Sequence, residues 1–371
     1  MSGKISFLER GKMDLKMGTV VAPCEIYNYL ERFVIGQDRA KKVLSVAVCN
    51  HIKRLHDRKG LIKKSNILLV GPSGCGKTLL AETLAKILCV PFAEADATSM
   101  TQAGYVGDDV WICLQRLLEA ADGDLKLAEK GIIFIDEIDK IACRGSGGVG
   151  DVSSRGVQAG LLKLLEGCVV SFPVLGNGKR GKSNCENVSI DTSNILFVCG
   201  GAFGELTDTN VVVEHPIGFL AGGCRDEVPS MEPVNAESLV KYGMMPEFVG
   251  RLPVICSLDG LTESDLVRIL TEPEDAVTKE YESMLKKDGV KLVFEPGALS
   301  EIAKMAVARK TGARGLRSIL EDLMLDVMYD LPGRTDISKC VITAETVRSG
   351  KPKLVKKRAR RTAVKTDAGI C

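Results

Sequence analysis

The 371-residue sequence lacks the features of a membrane-spanning or secreted protein. It contains no uninterrupted apolar run of the roughly 20 residues that a membrane-spanning helix needs. Residues Met1–Met17 mix four basic with two acidic side chains and include no apolar core of the kind that signal peptides have. The sequence therefore predicts no membrane partner and favours a bacterial cytoplasm, with a mitochondrial or plastid interior as the alternative.

Residues that could form a zinc site are also scarce. The chain has three histidines, and its 13 cysteines include no C-x-x-C pair. Because a structural zinc site needs several such ligands at short spacings, we predict none. The cysteines lie singly, several of them in apolar segments, which predicts reduced core residues and not a disulfide framework.

Excess charge of either sign is absent as well. The formal net charge of +2 gives the chain no general attraction to nucleic acid or to anionic membranes. One segment differs, because residues Lys351–Arg361 are dense in lysine and arginine and show no apolar periodicity. We predict that residues 350–371 form a solvated, disordered basic tail. Contact with nucleic acid is the alternative for this segment.

The most specific motif that is present lies at residues 71–78 and matches the phosphate-loop pattern G-x-x-x-x-G-K-[ST]. An apolar run, Ile67–Val70, precedes it, and a segment of helical periodicity, Leu79–Leu88, follows. In that context backbone N–H groups and the helix N-terminus attract phosphate, the lysine adds a full charge, and the threonine hydroxyl binds Mg²⁺. A glycine-rich turn with an incidental lysine is the alternative. The predicted nucleotide contacts are Gly71, Pro72, Ser73, Gly74, Cys75, Gly76, Lys77, Thr78 and Leu79.

A second motif places two carboxylates directly after an apolar run. Ile132–Ile135 predicts a buried parallel strand, and Asp136 and Glu137 follow it. We predict that Asp136, together with Thr78, holds Mg²⁺, and that Glu137 orients or deprotonates the attacking water. A solvated helical turn that begins with the two acids is the alternative. The two motifs together predict ATP hydrolysis.

The hydrophobic pattern changes character once along the chain. From Val34 to about Leu258, short apolar runs alternate with amphipathic segments, as in a parallel sheet covered by helices. From Thr262 onward the pattern is mainly helical. We predict an α/β fold with a flexible segment at 1–22, a large domain at 23–258 and a smaller α-rich (α+β) domain at 259–349.

The pattern also predicts individual elements. The strands of the large domain are expected at Ile67–Val70, Pro91–Glu94, Ile132–Ile135, Ile195–Cys199 and Val254–Leu258. The helices of the small domain are expected at Ser264–Leu270, Asp275–Lys287, Pro296–Thr311 and Gly315–Tyr329, with strands near Val290–Phe294 and Cys340–Thr343.

One helix and two loops of the large domain are predicted in more detail. The helix lies between Asp108 and Ala121, with Asp108 or Asp109 as its cap and Trp111 as half-buried packing outside its apolar face. Residues 144–155 and 176–189 lack periodicity and predict long loops, which are uncommon in compact domains unless they are functional.

In this order the motifs resemble those of the ClpX family of AAA+ protein unfoldases. The matching part runs from about Pro23 to Gly350. Its most specific strings are Val34–Gln37, Gly104–Asp108, Phe134–Lys140, Pro246–Pro253 and Lys310–Arg317. The resemblance implies a AAA+ P-loop NTPase domain followed by a AAA+ lid domain, with ATP and Mg²⁺ as cofactors. It also implies a homo-oligomeric ring, expected to be a hexamer.

The resemblance gives roles to residues that match the family's strings. Val34 and Ile35 fall where the family packs on adenine; ordinary core packing is the alternative. Tyr105 and Val106 fall in the loop that grips the substrate polypeptide in the axial pore, for which a tyrosine buried in a tight turn is the alternative.

Two arginines match the family in the same way. Arg251 corresponds to the arginine that reaches the γ-phosphate on a neighbouring subunit. Arg314 corresponds to the sensor-2 arginine, which reaches the phosphates within its own subunit. Surface ion pairs, which contribute little energy, are the alternative for both.

The sequence departs from the family at three places. The zinc-binding domain with which these proteins usually begin is not found, so adaptor-dependent delivery is not expected. Residues Gly176–Lys182 keep positive charge where the family has an Arg-Lys-His loop, but the histidine is missing. The segment Ile217, Gly218 and Phe219 matches the tripeptide that docks on the ClpP peptidase, in a shorter loop; an apolar anchor for that loop is the alternative.

The resulting hypothesis is an ATP-dependent unfoldase and translocase that acts on protein substrates and delivers them to ClpP. A remodelling chaperone that works without ClpP is the first alternative. A motor acting on nucleic acid is supported only by the basic tail and loop lysines. A scaffold that does not hydrolyse ATP is disfavoured, because Lys77, Asp136, Glu137 and Arg251 are all present.

Overall fold

The computed structural model describes residues 22–57, 59–101, 108–143, 149–175, 185–204, 206, 234–309, 311–334 and 336–356. The chain forms two compact units, which divide between Gly260 and Leu261. The division lies close to the predicted domain boundary after residue 258. Each unit has its own apolar core.

In the described part of the chain, the larger unit is built from helices and strands that alternate in sequence. Its helices are α1 (Pro23–Phe33), α2 (Asp38–Leu55), α3 (Lys77–Leu88), α4 (Ile112–Ala120), α5 (Leu125–Ala128), α6 (Val149–Glu166), α7 (Ala236–Tyr242) and α8 (Pro246–Gly250). Its strands are β1 (Ile67–Val70), β2 (Phe92–Asp96), β3 (Met100–Thr101), β4 (Asp108–Asp109), β5 (Ile132–Asp136), β6 (Val169–Leu175), β7 (Cys185–Asp191), β8 (Leu196–Gly201) and β9 (Val254–Ser257).

Five of these strands form the central sheet, in the order β2-β5-β8-β1-β9. Every neighbouring pair is parallel. The parallel sheet predicted for the large domain is thereby confirmed, and all five predicted strands are present, β1 with the predicted bounds and the other four with shifted ends. Because the strands are parallel, the carboxyl ends of β1, β5 and β8 meet at one edge of the sheet, where such folds place their ligands.

The three inner strands of the sheet, β1, β5 and β8, are buried on both faces, as the strands of parallel sheets usually are. Alternate residues of one strand enter different apolar clusters: Ile67 and Leu69 of β1 pack with helices α1 to α3, whereas Leu68 and Val70 pack on the opposite side with α4, α6 and α8. This two-sided burial explains why the strands read as continuous apolar runs in the sequence.

Two smaller strand pairs stand beside the central sheet. The first, which we call the clip, is the parallel pair β3–β4, in which Met100 lies opposite Asp108 and Thr101 opposite Asp109. The second is the antiparallel hairpin β6–β7, in which Val169 lies opposite Asp191 and Leu175 opposite Cys185. Residues 102–107 connect the strands of the clip, and residues 176–184 connect those of the hairpin.

The predicted helix cap at Asp108 or Asp109 is wrong. Both residues belong to strand β4, and α4 begins only at Ile112, with Trp111 at its N-cap and no side chain capping it. The Asp109 carboxylate instead accepts a hydrogen bond from the Trp111 indole, with Nε1 and Oδ2 3.1 Å apart. Trp111 is half-buried, as predicted.

Parts of both predicted long loops are regular secondary structure. Helix α6 starts at Val149, inside the segment 144–155, because Val157, Leu161 and Leu164 form a buried stripe along it. Strand β7 starts at Cys185, inside the segment 176–189, because it pairs along its whole length with β6. Residues 144–148 and 176–184 lie outside the described residues.

The smaller unit combines helices with a three-stranded sheet. Its described helices are α9 (Glu263–Thr271), α10 (Val277–Lys287), α11 (Pro296–Ala308), α12 (Ala313–Asp330) and α13 (Ala344–Ser349). Its strands are β10 (Lys291–Phe294), β11 (Ile337–Ile342) and β12 (Lys353–Lys356), in that order, with β10–β11 parallel and β11–β12 antiparallel. The smaller, helix-rich second domain is confirmed, while α13 and β12 were not predicted.

Strand β12 lies within the segment 350–371 that was predicted to be a disordered tail, so that prediction is wrong for Lys353–Lys356. The strand forms because it pairs with β11, although all four of its residues are exposed. Its two apolar residues, Leu354 and Val355, lie between lysines and are too few to form the periodic pattern that predicts a strand. Residues 357–371 lie outside the described residues.

None of the described helices is long and apolar enough to cross a bilayer. No group of three or more His, Cys, Asp or Glu side chains in the described ranges is arranged to hold a metal ion.

Candidate functional site

The predicted phosphate loop connects β1 to α3 at the carboxyl edge of the sheet. Gly74 and Gly76 both adopt positive φ, at 77° and 100°, which glycine allows at little cost. Gly71 is packed so closely that an added Cβ would lie 2.9 Å from Leu258 Cβ and 3.1 Å from Cys75 Sγ. The glycines of the motif therefore satisfy a turn and a close approach in this chain.

Lys77 and Thr78 begin helix α3. The Lys77 ammonium donates to the carbonyls of Gly71, at 2.7 Å, and Pro72, at 3.0 Å, so it lies folded within the loop. Thr78 is half-buried in the first turn, and no side chain caps the helix, which leaves the N-terminal N–H groups directed at the loop. Burial raises the pKa of the Cys75 thiol, so this side chain stays neutral.

The end of strand β8 separates the phosphate loop from the two acidic residues. Gly201 accepts a hydrogen bond from the Gly71 N–H at 3.1 Å, and a Cβ on Gly200 would lie 3.1 Å from Asp136 Oδ1. Gly200 therefore leaves room for the Asp136 carboxylate, and Gly201 joins the end of β8 to the phosphate loop.

Asp136 and Glu137 end strand β5 at the same edge. Asp136 is half-buried, and its Oδ1 accepts the Glu137 N–H at 2.9 Å. Glu137 adopts the left-handed conformation with φ 56°, which is unusual for a residue with a side chain and is common at functional sites. The Glu137 side chain is exposed at this edge of the sheet, whereas the Asp136 side chain is half-buried.

Val34 and Ile35 are both buried, at 4% and 6% exposure. Val34 joins the apolar cluster of α1 to α3, so core packing accounts for at least part of its role. The next residues, Gly36 and Gln37, both have positive φ. The Gln37 amide then donates to the Asp259 carbonyl at 2.7 Å and accepts the Asp259 N–H at 3.0 Å, which fixes this segment beside the end of β9.

Arg251 follows helix α8 at the surface of the larger unit. Its guanidinium donates to Glu166 Oε1 through Nε, at 3.0 Å, and NH2, at 2.6 Å. About half of its side chain remains exposed, at 53%. Its backbone carbonyl accepts the Asn66 amide at 2.9 Å, so the backbone is held independently of the guanidinium.

Arg314 belongs to the smaller unit. It is exposed in the first turn of α12, two residues after Gly312, whose φ is 56°. The positive φ explains the glycine before this helix.

The remaining predicted site residues lie outside the described part of the chain. They are Tyr105 and Val106, which the clip brackets, and Ile217, Gly218 and Phe219. The basic segment at 176–182 also falls there, between the strands of the hairpin.

The structure adds residues that motif reading did not single out. Gly200 and Gly201 follow the run Leu196–Cys199, and a glycine pair directly after a predicted strand was an available signal. Gln37 and Glu166 act through partners 222 and 85 positions away, so no local pattern could have revealed them.

Comparison with known proteins agrees with the geometry of both units. Residues 62–255 match the family model of the AAA domain (Cdc48 subfamily), and residues 261–343 match that of the C-terminal D2-small domain of ClpB protein. Two relatives are the ClpX ATP-binding subunits of the ATP-dependent Clp protease from Borrelia duttonii (strain Ly) and Borrelia recurrentis (strain A1). Each is 48% identical to this chain over 338 residues, which cover 88% of this chain and 78% of the relative.

The chain belongs to the ClpX family. The resemblance inferred from five short strings thus extends over most of the sequence, and the chain is a AAA+ ATPase of the type that binds nucleotide. Its two units correspond to the two matched domains, with the boundary between the family models falling between residues 255 and 261.

Proposed function

We propose that this chain is an ATP-driven protein unfoldase that works as a homo-hexameric ring. The observation that carries the proposal is the edge of the central sheet, where the phosphate loop and the Asp136–Glu137 pair lie on either side of the glycine end of β8. This arrangement provides both halves of a site for nucleotide hydrolysis within one unit.

The residues at this edge fit a Mg²⁺–ATP complex. The turn with positive φ at Gly74 and Gly76 and the uncapped start of α3 offer backbone N–H groups to anionic oxygens. Lys77 would bind the phosphates, and Thr78 and Asp136 would hold Mg²⁺, whose charge offsets that of the phosphates when it is bound. Val34 and Ile35 would pack against the adenine, and Arg314 would respond to the phosphates from the second domain.

Hydrolysis then requires a base and a charge that acts from outside the subunit. Glu137 would orient the attacking water and accept its proton. Arg251 lies on the surface with half of its side chain exposed, so we propose that it reaches the nucleotide of a neighbouring subunit. Guanidinium suits this role because it stays charged and binds phosphoryl oxygens in a bidentate manner.

The mechanical step would use the loop that contains Tyr105 and Val106. The clip holds the two ends of this loop next to β2 and α4, so displacement of either element would displace the loop. An aromatic residue between glycines can contact any passing polypeptide without reading its sequence.

Delivery to a peptidase is the final part of the proposal. The names of both relatives assign them to the Clp protease, and Ile217, Gly218 and Phe219 form the apolar tripeptide expected to dock on ClpP. Both relatives are bacterial, and we propose a bacterial cytoplasm as the place of action.

Degradation of a tagged, stably folded fluorescent protein tests the proposal. With ATP and ClpP the fluorescence should disappear; with ATP alone and a trap for unfolded protein it should also fall. Phe219→Ala should abolish the first activity and spare the second. Loss of fluorescence without any dependence on ClpP would favour a stand-alone remodeller. ATPase activity stimulated by DNA in a salt-sensitive manner, and not by unfolded protein, would favour a nucleic-acid motor.

A further inference from the structure

Trp111, the single tryptophan of the chain, links the clip to the hairpin in the larger unit. Its indole Nε1 donates to Asp109 Oδ2 of the clip at 3.1 Å. Its ring stacks on Phe172 of the hairpin, with centroids 5.3 Å apart and planes only 11° from parallel. We call this group, Asp109, Trp111 and Phe172, the aromatic junction.

Both ends of the junction are firmly placed. Phe172 is 1% exposed and lies opposite Val188 in the middle of the hairpin ladder. Asp109 lies opposite Thr101 in the clip. Between them, Val110 packs against helix α6, where a Cβ on Gly160 would come within 2.9 Å of Val110 Cγ2. The junction is therefore a continuous path of described contacts from the clip to the hairpin.

We propose that Trp111 is a positioning residue that makes the clip and the hairpin move as one body during the ATPase cycle. This inference rests on the proposed function, because the clip bears the Tyr105 segment and the hairpin bears the basic segment 176–182. Linked movement lets one stroke act on a polypeptide through both segments. The junction contains no residue that handles phosphate, so it affects work per ATP and not ATP turnover itself.

The two links act in series, which gives a specific signature. Trp111→Phe keeps a ring for stacking but loses the hydrogen bond to Asp109, whereas Phe172→Leu loses the stack. Each should lower the amount of protein unfolded per ATP hydrolysed by about two- to tenfold, the range that an aromatic pair supports. The double variant should be no worse than the worse single variant, because a series linkage fails when either link is broken.

Matched measurements separate this effect from general damage. Phe33→Leu breaks the Tyr29–Phe33 contact, a ring pair of similar separation at 5.0 Å, and should leave the ratio unchanged. ATPase rate and melting temperature should stay close to wild type in every junction variant. Unchanged unfolding per ATP, or strictly multiplicative losses in the double variant, would overturn the proposal.

A second measurement follows the unaltered junction directly and uses one junction variant as its reference. Acrylamide quenching of Trp111 fluorescence should be equally weak with ATP in a Glu137→Gln background and with ADP in the wild type, and stronger in both states in Phe172→Leu. Severalfold stronger quenching in one nucleotide state of the unaltered junction would show that the clip and hairpin separate, and would refute the inference. This experiment requires only nucleotide binding, so it still decides the matter if the protein proves not to unfold substrates.

Discussion

Lys77 and Glu137 serve different steps of the proposed reaction, and two substitutions separate them. Lys77→Ala removes a charged group that donates hydrogen bonds to the phosphates. It should weaken ATP binding by roughly 10- to 100-fold, the value of a hydrogen bond to a charged group. Glu137→Gln keeps the shape but loses the base, so ATP should bind normally while hydrolysis falls by about 10²–10⁴-fold. Calorimetry measures binding, and phosphate release measures turnover.

Each variant is the control for the other. Normal ATP affinity in Lys77→Ala, or rapid turnover in Glu137→Gln, would contradict the assigned role. The Lys77 ammonium bonds only within the loop in the described structure, to Gly71 and Pro72, so its loss should leave the melting temperature of the larger unit nearly unchanged.

Lys64 gives stability a dependence on pH. Burial, followed by the nearby Arg54, lowers the pKa of Lys64 to about 7 from 10.5, while Cys168 and Asp191 act weakly in the opposite direction. Between these values the unfolded chain binds a proton that the folded chain does not. Stability should therefore rise with pH from about 7 upward, by at most about 1.4 kcal/mol per pH unit from this group.

The Lys64→Met variant tests this by comparison of melting temperatures between pH 7 and pH 9. The wild type should gain stability over this window relative to the variant. Above it, the buried Cys113 and Cys199 thiols, whose pKa values burial raises to about 12, oppose the trend, because the unfolded chain then loses protons first. Identical pH slopes in the two proteins would show that Lys64 is charged in the folded state.

At the residue scale, the sequence predicted the local backbone correctly where a motif has local spacing, while the roles of the site residues stay predictions. The geometry at Gly71, Lys77 and Asp136 is that of a strand–loop–helix and of a strand end, both of which nearby residues dictate. Roles that depend on distant partners were out of reach. Glu166 meets Arg251, and Gln37 meets Asp259, only because the sheet brings their elements together.

Helices and strands were easier to predict from the sequence where more of their residues are apolar. The inner strands β1, β5 and β8 are buried on both faces and read as apolar runs, so their existence was clear from the sequence. The start of α6 and most of strand β7 were predicted as loop. For β7 the reason is that Cys185–Asp191 forms a strand by pairing with β6, and its own sequence pattern does not indicate one. Strand β12 is short and exposed, and its first and last residues are lysines. It too depends on pairing with a neighbouring strand, so its sequence shows no periodic pattern that would predict it.

Helix α12 carries an apolar face that its own unit does not cover. Leu325 and Tyr329 lie one turn apart and are 68% and 85% exposed. Exposed apolar side chains next to each other commonly mark a contact surface, and the proposed ring requires one. We expect the double variant Leu325→Ala/Tyr329→Ala to weaken self-association by about 10- to 100-fold, the value of burying one such side chain.

Sedimentation at several protein concentrations measures this effect. Leu61→Ala is the matched control, because Leu61 is similarly exposed, at 77%, but lies in a loop of the larger unit, where its neighbour Ile62 is only 39% exposed. ATP binding by the isolated subunit should be unaffected in both variants. A ring of undiminished stability in the double variant would remove this face from the interface.

At the scale of the whole assembly, the central question is where Arg251 acts. In one subunit its guanidinium pairs with Glu166, but both side chains are largely exposed, at 53% and 42%. Exposed ion pairs contribute only about 0–1 kcal/mol, so this contact does not compete with a phosphoryl group for the arginine. Since the Arg251 backbone is anchored through Asn66, removal of the side chain should leave the fold intact.

Arg251→Ala should therefore bind ATP and assemble, but lose the rate contribution of an arginine finger, about 10³–10⁵. The loss should be repairable across subunits. When Arg251→Ala and Glu137→Gln subunits are mixed in equal amounts, about a quarter of the sites pair an intact Glu137 with a neighbour's intact Arg251, and these should hydrolyse ATP at close to the wild-type rate. Phosphate release measured across mixing ratios should peak at equal amounts, although each variant alone is inactive. A flat, inactive profile in rings shown to be mixed would mean that Arg251 serves its own subunit, as a partner of Glu166 or of the nucleotide that the same subunit binds.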